Sequence, residues 1–388
     1  MSTHNPFFDP TLKKRHLADK IFKFVALSAL LVAVSFLVIF FTDIISKGLP
    51  SYKQAYVNLP VTYNKDTVVD SSYAIDEEHY ELVSRAWYRD MPMYATAHPE
   101  VMNKTTKEWV LADDEVDQYI KGHAHTLTDE QKVVVDKMIK EGRVELQFNS
   151  IFFSTGDSKI PENSGFLSSV VGSILTIFIC IAFAFPIGVM SAIYLEEFAK
   201  QGKVSTFLEI NINNLAAVPS ILFGLLGLAI FINLFGMPRS SALVGGLTLG
   251  LMTLPVIIVA GRTALRSVPA SIRQAAYGLG LTKWQVVKDH VLPLGMPGIL
   301  TGSIIGIARA MGETAPLIIV GMIAFIPDIP TSFTQASTVM PAQIFTWAGM
   351  PEGAYVERVS GAIMILLGVL LTMNALAIYF RKKYEIKW

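Results

Sequence analysis

The sequence predicts an all-α polytopic membrane protein of six transmembrane helices, with an extracytoplasmic α+β domain inserted after the first helix. Three observations lead there. Hydrophobic residues make up 52% of the 388 positions and charged residues only 16%, with a mean hydropathy of +0.45, too apolar for an ordinary soluble chain. The charge is segregated: residues 46–165 hold 13 Lys/Arg and 20 Asp/Glu, an acidic block inside a basic remainder, so the net charge of +0 carries no information about partners. Outside that block the chain is divided into uncharged runs, several of them near the roughly 20 residues a helix needs to cross about 30 Å of hydrocarbon.

In order, the runs cover residues 24–42, 166–195, 210–238, 240–261 and 359–380. A sixth, from Val291 to Phe325, is interrupted by Arg309 and Glu313 and is counted as a span. The first run ends in Phe-Phe-Thr-Asp without a small-residue cleavage pattern, which favours a retained anchor over a signal peptide. Basic residues set the orientation. Lys13, Lys14, Arg15, Lys20 and Lys23 precede the first span, and Arg381, Lys382, Lys383 and Lys387 follow the last, so both termini are expected in the cytoplasm. The 263–294 loop, with Arg266, Arg273, Lys283 and Lys288, is expected inside, and 327–355, without Lys or Arg, outside. The chain thus divides into a cytoplasmic N-terminus and first helix (1–45), a periplasmic soluble domain (46–165) and a five-helix core (166–388).

Within the soluble block, Thr128-Asp-Glu-Gln131 reads as a capping box opening a helix to about Lys140. Residues 112–121 predict a short helix, and 61–69 and 143–153 predict strands. His123-x-His125 lacks the acidic or Cys spacing of a metal site and reads as a solvated loop. Cys180, the single cysteine, lies inside an apolar run, which excludes an intrachain disulfide.

Residues 267–293 are too polar to span and predict two short helices on the membrane surface. Pro269 suits a first helical turn, Gly278 and Gly280 give the backbone freedom to end it, Thr282-Lys-Trp-Gln285 forms a capping box, and Pro293 is expected to stop the second helix. The result is a compact cytoplasmic knob that another protein could grip. No G-x-x-x-x-G-K-[ST] stretch occurs, so an ATP-driven process would need its ATPase on another polypeptide.

Arg309 and Glu313 are expected near mid-membrane on a helix from about Gly298 to about Phe325, where each costs about 2.5–3.5 kcal/mol on insertion scales. Two readings are open: a structural ion pair, or a role in a substrate path. Arg preceding Glu by four residues is the less favourable order for a helical pair, which points to partners elsewhere. Gly302, Gly306 and Ala310 form a small-residue stripe suited to close helix packing. Pro316 cannot donate to the carbonyl of Gly312, which disturbs the helix beside Glu313 and Thr314.

Two motifs carry a resemblance. Gln274-Ala275-Ala276, Gly280 and His290-Val-Leu292-Pro293 resemble the EAA loop of ABC importer permeases, with Gln274 standing where the family usually has Glu and His290 where it has an aliphatic residue. Ala308-Arg309-Ala310-Met311-Gly312-Glu313-Thr314-Ala315-Pro316-Leu317 resembles the A-R-x-x-G-E-T-A-P-L segment of PstA-type phosphate importer permeases, and Val218-Pro219-Ser220-Ile221 with Gly224-Leu225 is similar to the same family. The resemblance covers about residues 166–381. It implies the ABC type I importer permease fold and a bacterial inner (plasma) membrane location. The implied partners are a second permease of PstC type, two copies of an ATP-binding subunit holding ATP and magnesium, and an extracytoplasmic phosphate-binding protein. No cofactor on this chain and no nucleic acid are expected. It further implies ATPase coupling through Gln274, Ala275, Ala276, Gly280, Leu292 and Pro293. For the substrate path, Arg309 supplies the positive charge an oxyanion needs, Glu313 is assigned to orienting or gating, and Thr314 and Ser220 offer hydroxyls. Arg262 has two readings, attracting anions or snorkelling at the interface. Alternatives are a permease for sulfate or molybdate, a secondary transporter using Arg309 and Glu313 for ion coupling, and a membrane-anchored sensor whose 46–165 domain binds a ligand.

Overall fold

The computed structural model describes residues 12–200 and 202–384. Lys387, one of the basic residues used for orientation, lies outside them. The first helix, α1 (Leu12–Gly48), runs far beyond its uncharged stretch, and its 37 residues reach about 55 Å at 1.5 Å per residue. Its apolar window is not buried within the chain; it packs along the last helix, where a Cβ on Gly48 would stand 2.9 Å from the Ser360 backbone.

After a 3-10 turn at Leu49–Tyr52 the chain enters β1 (Lys53–Tyr63). β1 is the middle of an antiparallel sheet ordered β2-β1-β3, with β2 at Lys104–Leu111 and β3 at Val144–Phe148. Tyr56 faces Leu111, and Lys53 faces Phe148. Ala55, Val57, Leu59, Val61 and Tyr63 alternate onto one face and build an apolar core with residues of the helices over it. Those helices are α2 (Lys65–Val69), α3 (Arg85–Ala97), α4 (Asp114–Ile120) and α5 (Asp129–Lys140). The Thr128–Gln131 capping box opens α5 as its sequence predicts, and Asp113 caps α4. Two strand expectations need correction. The strand expected at 61–69 ends at Tyr63, because the Asn64 side chain accepts from the Thr67 amide while Thr67 accepts from the Asn64 amide, a capping box that starts α2. The strand expected at 143–153 ends at Phe148, where Asn149 accepts from the Phe152 amide and opens α6 (Ser150–Ser154). β2 and α3 carry no expectation from the sequence.

The remaining chain is helical. α7 (Leu167–Ile193) closes in a π-turn at Tyr194–Phe198. α8 (Lys203–Ala216) and α9 (Ser220–Gly227), the latter extended by a π-stretch to Leu234, bend by 102° against each other. This replaces the straight third span expected at 210–238: Pro219 lacks an amide hydrogen, and its ring conflicts with a helical carbonyl four residues back. α10 (Ala242–Arg266) follows, then the loop helices α11 (Ala270–Gly278) and α12 (Lys283–Val286), and α13 (Leu292–Gly312). α14 (Ala315–Ile319), α15 (Met340–Ala348) and α16 (Gly353–Tyr384) complete the order. Among the described residues five helices are long and apolar enough to cross a bilayer, and the bent α8–α9 pair is a sixth candidate.

Two further expectations change. Pro293 does not stop a helix. A π-turn at Val287–Val291 carries α12 into α13, so Pro293 stands inside a continuous helical run, directly after a turn where the hydrogen-bonding ladder is already shifted. The helix expected to reach Phe325 ends at Gly312; Glu313 is extended at ψ 122°, and Pro316 sits in the first turn of α14.

α10 is the hub. A Cβ on Gly246 would stand 2.6 Å from the Thr176 carbonyl oxygen of α7, and one on Gly250 would stand 2.7 Å from the Phe183 ring. On its other side the expected small-residue stripe of α13 makes the close approach: a Cβ on Gly302 would lie 2.1 Å from that of Ala260, and one on Gly306 3.1 Å from the Thr253 methyl. α9 and α14, the pieces after the two breaks, cross where Gly224 meets Pro316. The sheet module, the 157–166 segment, residues 326–347 and the start of α16 gather at one end of the helices. Trp347 donates to Asp157 at 2.9 Å, Tyr355 donates to the Ser158 carbonyl at 3.0 Å, and Ser241 bridges to Ala336. The α11–α12 loop lies at the other end of α10, away from these segments.

Candidate functional site: a broken-helix cleft and a two-helix loop

Arg309 sits on the last turn of α13, at a cleft formed with Val218 at the α8–α9 break and with Met252 and Thr253 of α10. The Arg309 side chain is 59% exposed, and its Nε is 3.5 Å from Glu313 Oε1, while Glu313 is 21% exposed. That distance is at the edge of a hydrogen bond. Because the helix ends before Glu313, the pair does not lie on one helical face as the spacing suggested. The guanidinium is therefore lightly held, and the expectation of firm partners for it elsewhere is not met among the described residues. Ser220 begins α9 and Thr314 precedes α14, both half-buried. Of these four residues only Arg309 lines the cleft; Ser220 and Thr314 stand at the two chain breaks, and α9 and α14, which follow those breaks, cross at Gly224 and Pro316.

Arg262 does not belong to this cleft. Its side chain is only 11% exposed and bridges Glu196 at 3.4 Å and Glu209 at 3.1 Å, so its charge is committed to the π-turn that ends α7 and to the middle of α8. Neither attraction of anions nor snorkelling describes it. Glu196 also receives Arg266 at 2.9 Å, and Glu197 receives Arg273. No expectation fell on these two adjacent carboxylates, although two charges directly after the uncharged run 166–195 were a visible signal.

The loop has an exposed top and a buried base. Gln274 and Ala275 are exposed, but Ala276 is buried with Leu265, Val268, Val286, Val291 and Ile299. This corrects the idea that both alanines face a partner: on a helix they point about 100° apart, and the chain's own core takes the second. Gly280 has φ +81°, the left-handed conformation that ends α11, and nothing lies near its missing side chain. The Thr282–Gln285 capping box opens α12 as expected. Leu292 and Pro293 are half-buried at the base. Leu279 (81% exposed), Trp284 and Tyr277 form an exposed apolar crown that sequence reading passed over.

A second polar centre joins the sheet module to α16. Lys121 Nζ lies 2.7 Å from both Asp117 and Glu357, with all three side chains at most 8% exposed, and Gln118 donates to Glu357 at 2.8 Å. Glu162 accepts from Ser84, and the fully enclosed Arg358 donates to the Ser164 carbonyl. Burial, and then Glu162 nearby, pushes the Asp113 carboxyl up to about 6; burial, and then Asp113, pushes Asp114 up to about 7. His123 contacts Gln118 at 3.1 Å, whereas His125 packs edge-on against Tyr119. Among the described residues no group of three or more His, Cys, Asp or Glu is placed to hold a metal ion.

Residues 184–384 match the family of binding-protein-dependent transport system inner membrane components, and residues 9–97 match a domain of unknown function, DUF3333. The chain is 34% identical over 225 residues to the phosphate transport system permease protein PstA 1 of Mycobacterium tuberculosis (strain CDC 1551 / Oshkosh), covering 57% of this chain and 73% of that protein. It is 30% identical to the Yersinia pestis phosphate transport system permease protein PstA, covering 58% and 76%. It is 33% identical to the Pasteurella multocida phosphate transport system permease protein PstC, covering 58% and 78%. Among solved structures, a bacterial alginate ABC transporter in complex with an alginate pentasaccharide-bound periplasmic protein aligns with 13% identity and a TM-score of 0.46, covering 77% of this chain and 96% of that one.

Proposed function

We propose, from the premise that this chain belongs to the family of binding-protein-dependent transport system inner membrane components, that it is one of two permease subunits of an ATP-driven phosphate importer. Its own residues bind and orient cargo and transmit motion; the energy comes from ATP and magnesium on a separate ATPase. The observation that carries this reading is the α11–α12 loop, an exposed crown on a base packed into the chain's own core, at the end of the helices opposite the sheet module.

In this reading six spans cross the inner membrane, the bent α8–α9 pair being one of them, and both termini are cytoplasmic. Residues 46–165 form an inserted α+β domain on the outer side. Gln274, Ala275, Gly280, Leu279 and Trp284 meet one of two ATPase copies, while Ala276, Leu292 and Pro293 support the loop from below. A second permease of PstC type completes the path, and an extracytoplasmic phosphate-binding protein delivers the cargo.

The cleft supplies what an oxyanion needs. Arg309 offers a fork of donors held only lightly by Glu313. Irregular backbone at the two breaks, beside Ser220 and Thr314, is tolerated at membrane depth where it lines a cavity. Glu313 would repel the anion, so it competes for Arg309 and thereby times release. Phosphate as cargo is supported by the Arg309–Leu317 motif and by the names of the relatives. Sulfate and molybdate present similar charge. Uptake of labelled phosphate into proteoliposomes holding the assembled complex, with sulfate and molybdate as competitors, tests the reading. Inhibition by unlabelled phosphate alone is expected; inhibition by sulfate instead would reassign the cargo, and uptake without ATP would replace the mechanism by a secondary one.

A further inference from the structure

Both helices of the α11–α12 loop rest on one short seat, the π-turn Tyr194–Phe198 that ends α7. From α11, Arg273 reaches Glu197 with Nη2 at 2.5 Å and Nε at 3.3 Å. The same guanidinium donates to the carbonyls of Val268 at 2.7 Å and Leu265 at 2.9 Å, at the C-terminal end of α10. From α12, the Lys283 ammonium stands 5.3 Å from the centre of the Phe198 ring. Glu197 is 8% exposed and Arg273 20%, so this contact is shielded from water.

The apolar base of the loop holds it down but gives no direction, because hydrophobic contact is non-directional. The planar fork of Arg273 does give direction: four hydrogen bonds to three groups allow one orientation of α11 relative to α7 and α10. The geometry points to Arg273 and Glu197 as a positioning pair that passes displacement of the loop to the inner ends of α7 and α10. From α10 the close contacts of Gly302 and Gly306 lead to α13, which carries Arg309 at its far end. The motif resemblance assigned neither residue a role, and Arg273 stands next to the motif without belonging to it. The inference rests on the reading that an ATPase engages this loop.

A cycle of variants in the complete transporter, reconstituted in proteoliposomes, tests it by measuring phosphate imported per ATP hydrolysed. Arg273→Gln and Glu197→Gln are each expected to lower that ratio on the order of tenfold, the scale of one lost coupling between sites, while the complex keeps its ATPase subunit and continues to hydrolyse ATP. The double variant should be no worse than either single one, because the two side chains act as one unit. Arg273→Lys, which keeps the charge and loses the fork, should fall between. Wild-type ratios in both single variants would overturn the inference, as would losses that multiply in the double variant. Shedding of the ATPase by all variants would also overturn it, reducing the pair to a part of the loop's fold. If the unaltered complex purifies without an ATPase, the functional reading itself fails and this inference with it, an outcome distinct from all the others.

Discussion

Arg309 and Lys121 are both long cations in a chain with few of them, yet their surroundings differ. Arg309 is open to a cleft and touches one carboxylate at 3.5 Å; Lys121 is enclosed between two at 2.7 Å. The first arrangement suits an exchangeable partner, the second a permanent one. Arg309→Ala is expected to abolish most phosphate uptake while leaving the amount of protein in the membrane unchanged, measured by transport and immunoblot together; unaltered uptake would remove Arg309 from the path. Lys121→Met leaves Glu357 and Asp117 buried without their cation, a loss expected to cost about 3–5 kcal/mol, read as a lower unfolding midpoint of the sheet module. Replacing Lys121 and Glu357 together by apolar residues should recover part of it. Gly280→Val forces a branched side chain into φ +81° and costs roughly 1–3 kcal/mol of local strain. The expected readout is ATP hydrolysis that continues while import falls.

At the scale of elements, glycine decides how closely helices approach, and proline stands at two of their breaks. α10 and α13 touch through Gly302 against Ala260, so Gly302→Leu has no room and is expected to destabilise the detergent-solubilised protein by about 1–3 kcal/mol or more, detectable by thermal unfolding. Pro219 and Pro316 act differently from Pro293. The first two stand at breaks that expose backbone beside Ser220 and Thr314, whereas Pro293 directly follows the π-turn Val287–Val291 and the helix runs on through it. A residue type therefore has no fixed consequence; its position relative to the hydrogen-bonding ladder does. The π-turn at Val287–Val291 is what permits α12 to run on into α13, and it was invisible to pattern reading because no residue type signals it.

At the scale of the whole molecule, the sheet module is joined to α16 through a contact with more buried carboxylates than cations. Asp114 faces Asp113, Glu115 and Arg358, while Asp113 faces Glu162 and Arg85. Carboxyls raised in the folded state add stability that is fully present below their unfolded value near 4 and is lost as pH rises through about 6 for Asp113 and about 7 for Asp114. The module is thus expected to become less stable between about pH 4 and about pH 7, measured by hydrogen exchange of the β1 amides, and Asp114→Asn should flatten that dependence. A module whose protection rises over the same interval would contradict it.

Sequence alone determined the features that depend on composition and short spacing. Uncharged runs located the candidate spans because hydrocarbon tolerates little charge. The capping boxes at Thr128 and Thr282 opened helices where their four-residue patterns lie, and the Gly302–Gly306 stripe marked a close helix contact. The loop and the Arg309 segment were legible as motifs, each within about 25 residues. Tertiary structure decided everything that joins distant positions. It turned Ala276 inward, committed Arg262 to Glu196 and Glu209, set Glu197 beneath Arg273 76 residues away, and locked Lys121 to Glu357 across 236 residues. It also broke the third span at Pro219, where hydrophobicity records only that the run is apolar and not whether its helix continues. The physical reason is common to all of these: hydropathy and capping act within a few turns, whereas ion pairs and backbone breaks are resolved by whatever the rest of the fold brings beside them.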